Sequence, residues 1–480
     1  MKADPTAGGS TADGVAAPRQ LGEAAGSSAA TDRRVLVVTY YFPPVGGIGV
    51  VRTLKYALYL PRWGWQPVIV APGDPEYPVR DSSLLEALPS DMEVHRTRSL
   101  EPGKLLNAVV RRLGRSRPGG EGVSDLASQV SGRGLRTRVL RRLLGVWRWF
   151  WGIILFPDWA VPWLPFAVRA ATRAHRRTPV DGIYSSGPPF TCHLAAGMVK
   201  GRIHRPWVAD FRDPWIGNAF EPKTSRPKRW LQRRAERWIV TRADRVTLAV
   251  EALREMYAER YPEFRAKFTY IPNGYDPADQ VGVEPLPSPR PGGFHLLYAG
   301  SLYRPKELEV FLTGAERLLE RRPDLRSRLR IDFVGRVKDA NARIIGDFST
   351  PGRLSGIVSM EGLLPRRMAI GRMMGADALL QLMPDVPGSG IFVGGKLAEY
   401  LGFDRPILAV MPPGEGRTLV ESLPTGIVAD VEPESVAAAL ERLLDHPPAP
   451  APADPEGRFS RPNLAGELAA VLDALASAND

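Results

Sequence analysis

Residues 35–70 read VLVVTYYFPPVGGIGVVRTLKYALYLPRWGWQPVIV, and this stretch decides the fold. VLVVTYYF is an unbroken apolar run of strand length, the pattern of a parallel strand covered on both faces. A loop rich in proline and glycine follows, then a helical pattern over about Val51–Tyr59, then a second apolar run, PVIVAP. Strand, loop, helix and strand make a βαβ unit, with the loop at the carboxyl end of the first strand, where doubly wound folds take ligands. The loop, Pro43-Pro44-Val45-Gly46-Gly47-Ile48-Gly49, is not GxGxxG, and no acidic residue stands at the end of the second strand to hold a ribose. Gly46 and Gly47 therefore suit close approach of the backbone to a substrate or a facing phosphate better than a dinucleotide.

The same alternation continues outward. Strands are expected at Gly182–Tyr184, Trp207–Ala209 and Arg245–Ala249, with helical patterns between them. At Pro277–Gly293 the composition shifts to PADQVGVEPLPSPRPGG, a linker without periodicity. The alternation then restarts with FHLLYAG, a helix over Lys306–Arg321, LRIDFVG, a strand near Ile357–Met360, a helix over 365–374, ADALLQLM and PILAV. The fold class is α/β: two Rossmann-like domains, each a doubly wound parallel sheet, facing each other across a cleft. The expected division is a disordered tail over 1–32, a first domain over 33–276, a linker over 277–293, a second domain over 294–460, and a helix in 461–480 that crosses back to the first domain.

At 480 residues the chain is long enough for two cores, and its 44% hydrophobic and 24% charged content is that of a globular protein. The net charge of +12 is uneven: Arg133–Arg148 holds six arginines and no acid, and Lys223–Arg245 holds nine basic residues against Glu236 and Asp244. Such clusters favour a polyanion, whether phosphate ligands, nucleic acid or an anionic membrane face, although a charge run also serves as a solvated surface. The lone cysteine, Cys192, excludes an internal disulfide, and the six scattered histidines and the lack of an Asp-x-Asp triplet leave no ligand set for a metal. No cofactor is expected. The first thirty residues lack the apolar core of a signal peptide, which points to a cytoplasmic protein.

Chemistry concentrates at Val386–Pro406, VPGSGIFVGGKLAEYLGFDRP. A glycine turn at Gly394-Gly395 runs into a helix carrying Lys396 and Glu399. Freed backbone N–H groups, the helix dipole and Lys396 suit phosphate oxygens, and Glu399, one turn on, suits the hydroxyls of a sugar. The plain alternative is a glycine turn before a core helix with a solvated Glu–Lys pair. Arg304 and Lys306 follow one strand of the second domain and Arg336 the next, so these cations and Lys396 share a rim and suggest a diphosphate site.

In the first domain, Asp210-Phe211-Arg212-Asp213-Pro214-Trp215 follows a strand end, where unpaired charge costs stability unless it is used. One carboxylate suits acceptor activation; the other reading is an Asp–Arg bridge that braces the loop. Ser186, in SSGPP, lies on the same rim, and His193 begins the next helix, where a histidine is structural as readily as catalytic. GVWRWFWGIILFPDWAVPWLPF, residues 145–166, carries five tryptophans but is interrupted by Arg148, Asp158 and three prolines. Together with the basic run before it, 133–166 reads as an arm lying in the headgroups of an anionic membrane, or as a hydrophobic arm folded on the protein itself.

The pieces quoted above, together with DGIYSSGPPFTCHLAAGMVKG, PWVADFRDPW and IPNGYD, resemble in order the GT-B glycosyltransferases of retaining family 4, in the branch that serves bacterial surface polysaccharides. The resemblance spans residues 34 to about 430. It implies an acceptor-binding first domain, a second domain that binds a nucleotide sugar, and no need for a metal. Glu399 matches the second glutamate of the family's Glu-x7-Glu motif, which holds the ribose, whereas the first glutamate is Ile391 here. Ser301 stands where the family usually has a strand-end arginine, leaving Arg304 or Lys306 to replace it, and the family's histidine has no clean match.

The expected function is transfer of a sugar, of the hexosyl type, from a nucleoside diphosphate donor to a lipid-linked or polysaccharide acceptor at the inner membrane face, with no nucleic acid involved. Asp213, Arg212, Asp210 and His193 are the candidates for catalysis; Arg304, Lys306, Arg336, Gly394, Gly395, Lys396 and Glu399 for the donor; Gly46, Gly47 and Ser186 for the acceptor loop. The alternatives are a nucleotide-sugar epimerase on the same fold and an inactive nucleotide-binding scaffold.

Overall fold

The computed structural model describes residues 33–75, 80–100, 155–220, 224–288, 292–302 and 304–478. The expected N-terminal tail and the membrane-arm residues 133–154 lie outside them. Two parallel sheets organise the chain. The first contains β1 (Arg33–Val38), β2 (Trp65–Pro72), β3 (Glu93–Thr97), β4 (Gly182–Gly187), β5 (Trp207–Phe211), β6 (Arg245–Leu248) and β7 (Phe268–Tyr270), in the order β3-β2-β1-β4-β5-β6-β7. The second contains β8 (Phe294–Ala299), β9 (Leu329–Val334), β10 (Val358–Gly362), β11 (Ala378–Leu382), β12 (Ile407–Val410) and β13 (Gly426–Ala429), in the order β10-β9-β8-β11-β12-β13. In each sheet the direction of winding reverses beside the first strand, between β1 and β4 and between β8 and β11. These are the crevices that take ligands in doubly wound folds.

The central strands are the apolar runs of the sequence: Val35, Leu36, Val37 and Val38 are buried, as are Leu296, Ile331 and Leu380. The strands without a sequence signal are edges. β3 (EVHRT) is only half-buried, and β7 and β13 are three and four residues long. An edge strand has one covered side at most, so alternation fades.

Helix Arg461–Ala476 lays Leu464, Leu468 and Leu472 against Val35, Leu54 and Trp65 of the first domain's core. Each buried leucine contributes on the order of 2 kcal/mol, which explains why the end of the chain returns across both domains. The proline-rich stretch docks as well: Asp276 caps the turn Pro277–Gln280, and Leu286 N–H donates to Gly371 O at 2.8 Å in helix Arg366–Gly375. Among the described residues, no helix is long and apolar enough to cross a membrane.

Part of the tryptophan-rich arm belongs to the core. Trp163 is fully buried and donates its indole N–H to Thr97 Oγ1 at 2.7 Å. Asp158 accepts from the backbone N–H and hydroxyl of Thr191. Over residues 155–166 the segment is therefore packed into the fold, with Trp163 binding it to β3 and Asp158 to the start of helix Thr191–Ile203.

Candidate functional site

Three loops meet at the first crevice: the glycine loop after β1, Gly187–Phe190 after β4, and Arg212–Trp215 after β5. Helix Ile48–Tyr59 starts three residues earlier than its periodicity suggests, on Gly47, whose φ of 90° favours glycine. Arg212 fastens the loops together. Its Nε donates to Gly187 O at 3.2 Å, and its two terminal nitrogens donate to Gly49 O and Pro188 O. Each of its three nitrogens donates to a carbonyl, so Arg212 ties the three loops together and shapes the crevice.

Asp210 is corrected from catalytic candidate to internal brace. It is fully buried and accepts from Arg52 Nε and Nη2 (3.1 and 2.8 Å), the Tyr184 hydroxyl (2.8 Å), Ser186 Oγ (2.9 Å) and Thr247 Oγ1 (2.8 Å). Burial alone would raise its pKa, but Arg52 and these bonds pull it down to about 2. A carboxylate so saturated has no lone pair to offer a substrate. Ser186 is withdrawn from the acceptor loop for the same reason: its hydroxyl is buried on Asp210.

His193 is also buried. Trp207 Nε1 donates to Ser185 Oγ at 2.8 Å, which leaves the serine proton to bond His193 Nδ1, also at 2.8 Å. The ring proton is thus assigned to Nε2, which has no partner and lies where a Cβ on Gly187 would come within 2.7 Å. Burial lowers the pKa to about 3, so His193 is a neutral ring that braces the loop after β4 and carries no second proton, and so no charge, near pH 7. Asp213 is the candidate carboxylate whose oxygens the structure leaves unoccupied among the described residues. It is partly exposed and makes no hydrogen bond or ion pair among the described residues. Burial raises its pKa, with Arg212 opposing.

The second crevice is built around Lys396. Its ammonium donates to the Tyr298 hydroxyl and to Ser301 O (3.0 Å) and lies 4.0 Å from the centre of the Tyr298 ring. Gly300, at φ 136°, makes room for it: a Cβ there would come within 1.9 Å of Lys396 Cε. Burial lowers the Lys396 pKa to about 7, with Glu399 opposing. The helix Gly395–Tyr400 has only six residues, so Lys396 supplies the charge and a helix dipole little of it. Gly394 packs against Gln381, where a Cβ would come within 2.9 Å of Nε2.

Glu399 lies 3.1 Å from Arg366 Nη2, a partner the sequence did not indicate. The expected ring of four cations does not close. Lys306 and Arg336 are exposed, and Arg304 reaches the first domain, 5.7 Å from the centre of the Phe220 ring, which itself contacts Phe392 at 4.6 Å. A second tie between the domains is Glu415, whose carboxylate accepts from Glu251 N–H (3.0 Å) and Ala252 N–H (2.6 Å) at the start of helix Glu251–Arg260. Between these contacts both domains line a cavity of about 650 Å³, walled by Tyr270, Asn273, Val393 and Leu401. Among the described residues no cluster of His, Cys, Asp and Glu could hold a metal.

Residues 126–279 match the family model described as Glycosyltransferase Family 4. A D-inositol 3-phosphate glycosyltransferase of Nocardiopsis dassonvillei is 27% identical over 154 residues, which is 32% of this chain and 35% of that protein. The chain thus matches about a third of the length of its curated relative. Among solved structures, a glycosyltransferase from Rickettsia africae aligns with TM-score 0.60 at 11% identity, over 92% of this chain and 99% of that one. Sucrose-phosphate synthase from Thermosynechococcus elongatus aligns with TM-score 0.57 at 15% identity, over 93% and 100%. The Anabaena protein HepE in complex with UDP aligns with TM-score 0.57 at 13% identity, over 92% and 100%. At these identities the likeness establishes the GT-B fold.

Proposed function

We propose that this chain, whose fold is GT-B, is a member of glycosyltransferase family 4 that transfers a sugar from a nucleoside diphosphate sugar to a lipid-linked or polysaccharide acceptor, with retention and without a metal. The observation that carries the reading is Lys396, a partly buried amine of lowered pKa at the crevice of the second domain. Such a group gains most when a second negative charge develops beside it, as it does on a departing diphosphate. Arg304, which reaches toward Phe220 of the first domain, and Asp213, in the first domain's crevice, suit the donor's charge and the acceptor hydroxyl. The family match favours a transferase over an epimerase, and the HepE complex makes UDP the first nucleotide to test.

Glu399→Ala is expected to weaken UDP binding by about 1–3 kcal/mol, the scale of a lost charge-assisted hydrogen bond. Calorimetry on folded variant checks this; unchanged affinity removes Glu399 from the site. Transfer is expected to survive EDTA, and loss on chelation that manganese or magnesium restores would contradict a metal-free reaction. An assay of label moving from UDP-sugars to a lipid extract tests the function itself, and UDP binding without transfer or donor hydrolysis would favour the scaffold reading.

The membrane side of the proposal rests on helix Arg226–Arg242. Arg229, Arg233 and Arg234 are exposed beside Trp230 and Leu231, which are 56% and 41% exposed. The helix's only acid, Glu236, is buried on Tyr257, Tyr261 and Arg260. An arginine-rich face with an exposed indole suits anionic headgroups. Reversing Arg229, Arg233 and Arg234 to Glu is expected to release the protein from phosphatidylglycerol vesicles, and salt to weaken the wild-type binding. Unchanged sedimentation would clear this face of the role.

A further inference from the structure

Glu399 is the end of a chain of ion pairs. Arg366 Nη2, 3.1 Å from Glu399 Oε1, also donates to Asp279 Oδ2. Asp279 Oδ1 accepts from Lys55 Nζ at 2.6 Å, Lys55 pairs with Asp276 as well, and Asp276 accepts from the Tyr59 hydroxyl at 2.8 and 2.9 Å. Charge alternates without a break along Asp276, Lys55, Asp279, Arg366 and Glu399. One end of this chain is anchored on helix Ile48–Tyr59 of the first domain. The middle is the turn where the backbone passes between the domains. The other end is on helices Arg366–Gly375 and Gly395–Tyr400 of the second.

These links are shielded, unlike ordinary surface pairs. Lys55 and Asp276 are buried, and Asp279, Arg366 and Glu399 are partly so. Burial would lower the pKa of Arg366, yet Glu399 and Asp279 hold it raised; burial would raise that of Asp279, yet Arg366 and Lys55 hold it lowered. Removing one member leaves its neighbour charged and unpaired in a poorly solvated place. The geometry also leaves a division of labour on Glu399: Oε1 is fixed by Arg366, while Oε2 has no bond among the described residues and stays available to hydroxyls. Helix Ile48–Tyr59 carries the far end of the effect, since its first turn is the glycine loop that Arg212 clamps.

We propose that Arg366 is a positioning residue for Glu399 and, through Asp279 and Lys55, links the donor site to the hinge, so that nucleotide affinity and domain angle depend on each other. This rests on the reading of Glu399 as the group that holds the donor. Coupling of this kind is reciprocal: a nucleotide that prefers one domain angle must bind less well when the chain setting that angle is cut.

The test is UDP titration by calorimetry, with small-angle scattering of the full chain with and without UDP. R366A is expected to weaken UDP about tenfold, with R366K recovering most of the loss, as a purely structural arginine would not require. K55M and D279N, neither of which touches Glu399, are each expected to weaken UDP about threefold or more and to alter the UDP-induced change in radius of gyration. A lower melting temperature in R366A with wild-type UDP affinity overturns the positioning role. Weakened binding in R366A alone, with K55M and D279N at wild-type values, overturns the link to the hinge. Wild-type affinity in E399A overturns the donor reading itself, and this inference with it.

Discussion

Lys396→Ala is expected to lower turnover about 10²- to 10³-fold, the scale seen when a pre-placed electrostatic group is removed from a transition state. Uridine binding is expected to stay near the wild-type value, because the ammonium is set for phosphate and not for the nucleoside. The side chain lies along Gly300 with its ammonium on Tyr298 and Ser301 O, so it is held before any ligand arrives. Burial holds its pKa near 7, which makes its charge conditional on an anion close by. The diphosphate is more negative as a leaving group than as part of the sugar nucleotide, so the ammonium gains more in the transition state than in the ground state. Equal loss of uridine and UDP affinity with turnover intact would take the lysine off the phosphates.

Asp213→Asn keeps the shape of the first crevice and removes a charge, and turnover is expected to fall about 10²-fold or more. Donor affinity should change little, since the donor is assigned to the other domain. The raised pKa of Asp213 makes it a stronger base than an exposed aspartate, and no bond among the described residues competes for its oxygens. Asp210, three residues earlier, cannot stand in, because Arg52, Tyr184, Ser186 and Thr247 occupy it. A lower melting temperature with near-normal turnover below it would make Asp213 structural. It would move the acceptor role to the backbone around Gly46 and Gly47.

The strands that build both crevices could be read from the sequence because they are largely buried on both faces: VLVVTYYF, FHLLYAG and LRIDFVG are mostly apolar runs of strand length. Loop position was legible too, since carboxyl ends follow from strand direction. What could not be read was partnership. Asp210 and Arg212 stand two residues apart and invite pairing, but Asp210 bonds Arg52, 158 residues away, and Arg212 bonds carbonyls. The one sequence signal was Arg52 itself, an arginine among the largely apolar residues of VVRTLKYALY, which asks for a buried carboxylate. Arg366 gave less, one of two adjacent arginines opening a helix. Its pairing with Glu399 and Asp279 depends on how the second domain and the turn after Asp276 fold together, which no local pattern encodes. Lys306 and Arg336 show a further limit: a strand end sets where a backbone stops, while the direction a long side chain takes from there is not encoded locally.

The central claim is that a nucleoside diphosphate sits on Lys396, and proton linkage tests it most directly. In the free protein the Lys396 pKa is lowered to about 7; a bound diphosphate raises it, so binding draws in a proton and affinity falls as pH rises through and above that value. Calorimetric titration with UDP near pH 8, in two buffers of different ionisation enthalpy, measures that proton. The account predicts uptake of up to about one proton by the wild-type protein and little by Lys396→Met. Binding without proton uptake, or the same uptake in the variant, would contradict it.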